Sequence, residues 1–96
     1  MAGYEKNKFI IQNIGRRLRA FRKSTGMTET EMARGLAISL QRWSNWENGR
    51  VLPDVGAMME VSRRYRISLD YIFLDDDIAV APALMSRIKG YLHYDE

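Results

Sequence analysis

Cysteine is absent from the 96 residues, and histidine occurs once, at His93. The chain therefore has no disulfide framework, no thiol redox chemistry and no Cys-based zinc site, and it has too few ligands for a His-centred site. No apolar run approaches the roughly 20 residues that span a bilayer, and the amphipathic start of the chain is unlike a signal peptide. We therefore expect a cytoplasmic protein without a membrane partner.

Nothing in the sequence favours an enzyme. The acidic run at residues 75–77 has no His or Cys beside it and lacks the spacing of a calcium loop, so a solvated linker is favoured over a metal site. We find no nucleophile–base pair and no glycine loop that could cradle a phosphate. The sequence predicts no catalytic residue, no metal and no cofactor.

Charge is distributed unevenly along the chain. Residues 1–50 contain ten Lys/Arg and four Asp/Glu, a net charge of +6, whereas residues 51–96 contain five and eight, a net charge of −3. A basic half on a small domain is typical of a protein that binds a polyanion. A solvated basic face without a partner is the alternative.

Apolar residues recur at helical spacing, and no segment shows sustained period-two alternation, so the sequence predicts an all-α fold. The first helix is expected over residues 7–24 and is ended by Gly26. Thr28 and Glu31 have the spacing of a capping box, which predicts a second helix from Thr28.

A third helix is expected from Leu40 to about Asn48, with Ser39 as its N-cap and Gly49 after its end. It begins so soon after the second helix that the two cannot lie side by side. They are expected to cross steeply, as in a helix-turn-helix.

Pro53 and Asp54 open a fourth helix, Ser68 caps a fifth, and Pro82 fits the first turn of a helical tail. In the first five helices one apolar side is expected to face the interior, and the tail is expected to have one apolar side. The side chains on these sides are Phe9, Ile10, Ile14, Leu18 and Phe21; Met32, Ala33 and Leu36; Trp43 and Trp46; Val55, Met58, Met59, Ser62 and Tyr65; Leu69, Ile72 and Phe73; and Leu84, Ile88, Tyr91 and Leu92.

The third helix has two different sides. If Trp43 and Trp46 face inward, Gln41, Ser44 and Asn45 face outward, with Leu40 and Arg42 at the edges. Gln and Asn match adenine in the major groove, Arg matches guanine, and an aliphatic group can meet a thymine methyl. The alternatives are that the amides only solvate an exposed helix and that the indoles stack on unpaired bases. Core packing of the indoles is favoured.

Glu47 lies near the C-terminal end of this helix, where the helix dipole disfavours negative charge. A cation should compensate it, and Arg22 of the first helix is the candidate.

Residues 14–74 resemble the Cro/repressor-type helix-turn-helix family, also called the xenobiotic-response-element type. The matching elements are Leu18-Arg19, Arg22, Met32-Ala33, Ile38-Ser39, Trp46-Glu47-Asn48-Gly49, Pro53 and Ile67-Ser68-Leu69-Asp70-Tyr71. The resemblance implies a compact five-helix repressor-like helix-turn-helix domain. Residues 1–13 would extend its first helix, and residues 75–96 would be an acidic linker and an additional C-terminal helical segment.

The resemblance also implies roles for particular residues. In this family the second helix of the pair enters the major groove, while the preceding helix crosses the phosphate backbone. The positions that match base contacts are Leu40, Gln41, Ser44 and Asn45, with Arg42 beside them. The positions that match phosphate contacts are Thr28, Asn48 and Arg50, and an ion pair between Arg22 and Glu47 is implied.

Three residues depart from the family pattern. Glu29 replaces a glutamine that commonly approaches a phosphate, Ala37 replaces a glycine in the turn, and Leu40 is apolar at a reading position. A left-handed conformation at Ala37 would cost roughly 1–2 kcal/mol, so a different turn is one expectation.

The resemblance predicts a transcriptional regulator that binds double-stranded DNA in a sequence-specific way. The alternative is a protein-binding module, such as an antiactivator or antitoxin-like factor, that keeps the fold but binds another protein. Two segments could form a homodimer contact, residues 69–73 and the tail at residues 82–94, although the tail could equally pack on its own core.

Overall fold

The computed structural model describes the backbone of residues 2–92 and the side chains of residues 9–92. His93 and the last residues of the predicted tail lie outside this part. Its six helices confirm the all-α prediction. They are α1 (Ala2–Thr25), α2 (Glu29–Gly35), α3 (Leu40–Glu47), α4 (Val55–Tyr65), α5 (Leu69–Leu74) and α6 (Pro82–Lys89).

The predicted capping residues lie at the N-terminal ends of helices and accept hydrogen bonds from backbone amides there. Thr28 Oγ1 accepts from the Glu31 amide at 3.1 Å, and the Glu31 carboxylate accepts from the Thr28 amide at 2.8 Å, so the capping box is complete. The Thr28 backbone hydrogen bond, followed by its side-chain bond, lowers the pKa of Glu31. Ser39 and Ser68 accept from the amides of Arg42 and Tyr71, each at 3.0 Å.

The turn between α2 and α3 keeps the left-handed residue that glycine usually supplies. Ala37 has φ 58°, and the amide of Ile38 returns to the Ala33 carbonyl at 3.0 Å. The expectation of a different turn is therefore wrong. The left-handed conformation of Ala37 costs about 1–2 kcal/mol, and the fold tolerates this cost in the turn that joins α2 to α3.

Helix α1 is the centre of the fold and packs against α3, α5 and α6. The core contains both indoles of α3, the aromatic residues Phe21 and Tyr71, and aliphatic residues from the other five helices. No helix in the described part of the chain combines the length and the apolarity that crossing a membrane requires.

Several side chains expected in the core are exposed. Phe9 and Ile10 lie where α1 extends past the helices that cover its later turns. Val55 and Met59 are also exposed, because α4 meets the core along the narrower stripe of Met58 and Val61. These four expectations were wrong.

The helical tail packs on its own domain. Val80, Met85 and Ile88 are buried, and α6 lies against α1. Tyr91, which was predicted on the same apolar side, is exposed and follows the end of α6 at Lys89. The apolar side of the tail is therefore covered by the chain itself.

Gly15 allows α1 and α3 to approach closely. A Cβ atom at this position would lie 2.5 Å from the main-chain oxygens of both Trp46 and Glu47, which no side-chain movement can relieve. The requirement for glycine at this position was not evident from the sequence, because it depends on a contact between distant segments.

We expect Gly15→Ala to lower the free energy of unfolding by about 3 kcal/mol, because the two helices must separate. Gly35→Ala is the matched control. A Cβ atom there would lie 3.7 Å from its nearest neighbour, so alanine should be neutral or stabilising by up to about 1 kcal/mol. Urea unfolding of both variants measures the difference, and equal effects would contradict the close approach.

Candidate nucleic-acid interface

Helix α3 is anchored by its two tryptophans. Trp43 and Trp46 are both buried, and their rings pack edge to face with centroids 5.8 Å apart. Such aromatic pairs stabilise a core beyond the area that they bury. Neither indole is available to stack on an unpaired base, so the core-packing interpretation is confirmed.

The C-terminal end of α3 is held by the carboxylate of Glu47. Its side chain is 1% exposed, and Arg22 Nε donates to its Oε2 atom at 2.6 Å. Arg22 also donates to the Met27 carbonyl at 2.9 Å, which extends the connection towards α2. The structure thus brings Arg22 and Glu47 together, as the dipole argument and the resemblance both required.

Two further donors to Glu47 were not predicted. Trp43 Nε1 donates to Oε2 at 2.5 Å, and Arg19 Nε donates to Oε1 at 3.4 Å. The Trp43 bond joins residues four apart in one helix, and that spacing was a signal that could have indicated it. A charge buried this completely is expected only with such a set of donors.

Arg17 makes the corresponding connection on the other side of α1. Its Nε and Nη2 atoms donate to the Ile72 carbonyl at 3.1 and 2.9 Å, and its guanidinium lies over the Tyr71 ring. The cation therefore stabilises the last turn of α5, where unpaired carbonyls accumulate. The Arg17 side chain is buried, although it is charged.

The opposite side of α3 faces solvent. Leu40, Gln41 and Arg42 are exposed, and Ser44 and Asn45 are half-buried. The described part of the chain leaves this side open, and we call it the outer face and define it by these five residues. Arg42 also lies over the Trp46 ring, with its guanidinium carbon 5.6 Å from the ring centroid.

Polar side chains of the outer face are connected to the loop that follows α3. Gln41 Nε2 donates to Asn45 Oδ1 at 2.9 Å, and Arg50 Nη1 donates to the same oxygen at 3.2 Å. Asn48 Nδ2 donates to the Ser44 carbonyl at 2.9 Å. The predicted base-reading and phosphate-binding residues of α3 and its loop thus form one connected surface.

One predicted phosphate residue, Thr28, and one departure from the family pattern, Glu29, lie at the start of α2. Thr28 is exposed, but its hydroxyl is used in the capping box with Glu31. The Oε1 atom of Glu29 is enclosed without a hydrogen-bond partner among the described residues.

Glu47→Ala should lower the free energy of unfolding by about 3–5 kcal/mol, because it leaves two arginines and an indole N–H without their acceptor. Glu60→Ala is the matched control. It removes a carboxylate that also binds two arginines, Arg63 and Arg64, but in solvent that screens the interaction, so its effect should be far smaller. Thermal and urea unfolding measure both variants, and comparable losses would contradict the anchoring role.

Known proteins share the segment that contains these helices. The helix-turn-helix domain family matches residues 13–70. Over 67 residues the chain is 31% identical to the HTH-type transcriptional regulator ImmR of Bacillus subtilis (strain 168). That alignment covers 70% of this chain and 53% of the relative, so the chain spans about half the length of the relative. No solved structure gives a significant match.

The matched segment includes α2, the left-handed turn at Ala37 and α3, which are the parts that define a helix-turn-helix. It also includes Arg22, Glu47 and Ser39, which are among the residues on which the Cro/repressor resemblance was based. The match over most of the chain and the crossed helix pair agree, and the chain belongs to the helix-turn-helix domain family, where the Cro/repressor type fits it.

Proposed function

We propose that the protein regulates transcription by binding specific sequences of double-stranded DNA, with α3 in the major groove and α2 across the phosphate backbone. The observation that carries this proposal is the orientation of α3. Its indoles and Glu47 are fixed in the core, while the outer face is open to solvent. A helix of this diameter fits the major groove of B-form DNA.

Within this proposal the outer face reads bases and the neighbouring loop holds phosphates. Gln41, Arg42 and Asn45 supply hydrogen bonds to base edges, Leu40 meets a thymine methyl, and Ser44 can serve either base type. Asn48, Arg50 and Thr28 are the phosphate candidates. Arg16 and Arg19 line a cavity of about 190 Å³ beside Asn48, and their charge supports phosphate binding there.

The relative is named a transcriptional regulator, and this supports the proposed role. The positive net charge of residues 1–50 supports it as well. Residues 14–74 would form the DNA-binding domain. A cytoplasmic location would follow, because a bacterial-type regulator shares a compartment with its DNA.

The second candidate function is a protein-binding module on the same fold. Leu40 is 47% exposed on the outer face, and Glu29 would repel a phosphate. The salt dependence of binding separates the two functions. A DNA complex with about six phosphate contacts should lose roughly a thousandfold in affinity between 50 and 200 mM salt, whereas an apolar protein contact should change little.

The exposed apolar side of α5 suggests how two copies could associate on DNA. Ile10, Phe73 and Leu74 line a cavity of about 300 Å³, the adjacent Phe9 of α1 is exposed, and Leu74 is 73% exposed. A second copy is the occupant we propose, because a single domain of this kind covers little DNA and half-sites usually lie one helical turn apart. Leu69 and Phe73 themselves are half-buried.

Selection of duplexes from a random pool tests DNA reading directly. We expect the wild-type protein to enrich a sequence, and Gln41→Ala with Asn45→Ala to lose about fivefold or more of its base preference at particular positions while remaining folded. Ser86→Ala is the control, because this exposed side chain lies on α6, outside both the outer face and the α5 cavity, and should not affect preference. Unchanged preference in the double variant would remove both amides from base reading.

Leu74→Asp should raise the dissociation constant of the dimer at least about tenfold, because a charge would enter the centre of the contact. Ile78→Asp, at a side chain that is 89% exposed and outside the α5 cavity, should have no such effect. Sedimentation velocity over a range of concentrations measures both, and a wild-type protein that stays monomeric would exclude this dimer.

A further inference from the structure

The two hydrogen bonds to Asn45 determine which end of its amide faces outward. Gln41 Nε2 and Arg50 Nη1 both donate to Asn45 Oδ1, at 2.9 and 3.2 Å. A carbonyl oxygen has two lone pairs, so both acceptor sites of Oδ1 are occupied. Among the described residues, Asn45 Nδ2 donates to no protein atom.

Arg50 is the residue that makes this orientation obligatory. A glutamine amide can rotate and offer either its oxygen or its nitrogen, so the bond between Gln41 and Asn45 permits either orientation of both amides. A guanidinium contains only donors and must face an oxygen. The contact with Arg50 therefore fixes Oδ1 towards the loop and leaves Nδ2 as the end of the amide that can donate to a base.

An asparagine fixed in this way cannot read adenine in the usual bidentate manner. That pairing needs Oδ1 to accept from adenine N6 while Nδ2 donates to N7. With Oδ1 occupied, the N6 amino group would meet no acceptor, and an unpaired polar group at an interface is costly. Guanine presents only acceptors at the same edge, O6 and N7, and the two N–H groups of Nδ2 match both.

We propose that Arg50 is a positioning residue that fixes Asn45 as a pure donor and thereby makes the contacted base guanine rather than adenine. This inference rests on the proposed binding of duplex DNA by α3. It differs from the phosphate role that the resemblance implies for Arg50, since a phosphate contact alone would carry no base preference. Arg50 would thus determine specificity without contacting the base.

The test compares selected duplexes for the wild type and four variants. The base read by Asn45 is first identified as the position at which Asn45→Ala loses preference. There the wild type should favour guanine over adenine at least about fivefold, the fold-change equivalent of about 1 kcal/mol. Arg50→Met should reduce this preference to less than about twofold and admit adenine, because Asn45 can then rotate.

Arg50→Lys is the conservative variant. Its ammonium group also contains only donors, so it should retain most of the preference for guanine. Arg87→Met on α6 removes the same charge at a site away from α3 and should leave the preference unchanged. These two variants separate the positioning role from a loss of positive charge, which lowers affinity for all sequences alike.

The outcomes distinguish this inference from the function on which it rests. If the wild-type protein enriches no sequence, duplex reading itself fails. If it enriches adenine at the Asn45 position, or if Arg50→Met keeps the preference for guanine, the positioning role is overturned while DNA reading stands.

Discussion

The buried carboxylate of Glu47 is the interaction on which the geometry of the interface depends. Helix α3 has only eight residues, too few to be stable alone, and its orientation must come from tertiary contacts. Trp43 and Trp46 fix its inner side, while Arg22 and Arg19 fix its last turn through Glu47. A buried ion pair is weak evidence for stability, but its directional bonds prevent α3 from rotating about its axis.

The same connection requires a matching stripe on α1. Gly15, Arg19 and Arg22 are four and then three residues apart, so they lie along one side of that helix. Gly15 permits the backbones to approach, and the two arginines then reach the Glu47 carboxylate one and two turns further on. Packing against this side of α1 thus determines which residues of α3 are exposed. The contacts in the core thereby determine which side chains form the outer face.

The sequence predicted the features that depend on contacts between residues close together in the chain. Thr28, Ser39 and Ser68 cap helices through bonds to residues three positions away, and the alternation of apolar and polar residues identified the inner side of α3. The burial of Arg17, the need for Gly15 and the exposure of Val55 and Met59 depend on partners distant in the sequence. Periodicity identifies the apolar side of a helix, but it cannot tell how much of that side another helix will cover.

In the structure, several positive charges of the first fifty residues already bind other groups of the protein. Arg17 is committed to the Ile72 carbonyl, and Arg19 and Arg22 share the single carboxylate of Glu47. Two guanidinium groups on one carboxylate leave a net positive charge, and it is held at a fixed position beside Asn48, to which Arg19 Nη2 donates at 2.6 Å. A cation already held in place loses less conformational entropy when it meets a phosphate than a free lysine does. The arginines that stabilise the fold therefore also place positive charge next to the outer face. The positions of these arginines matter for binding a polyanion, as well as their number.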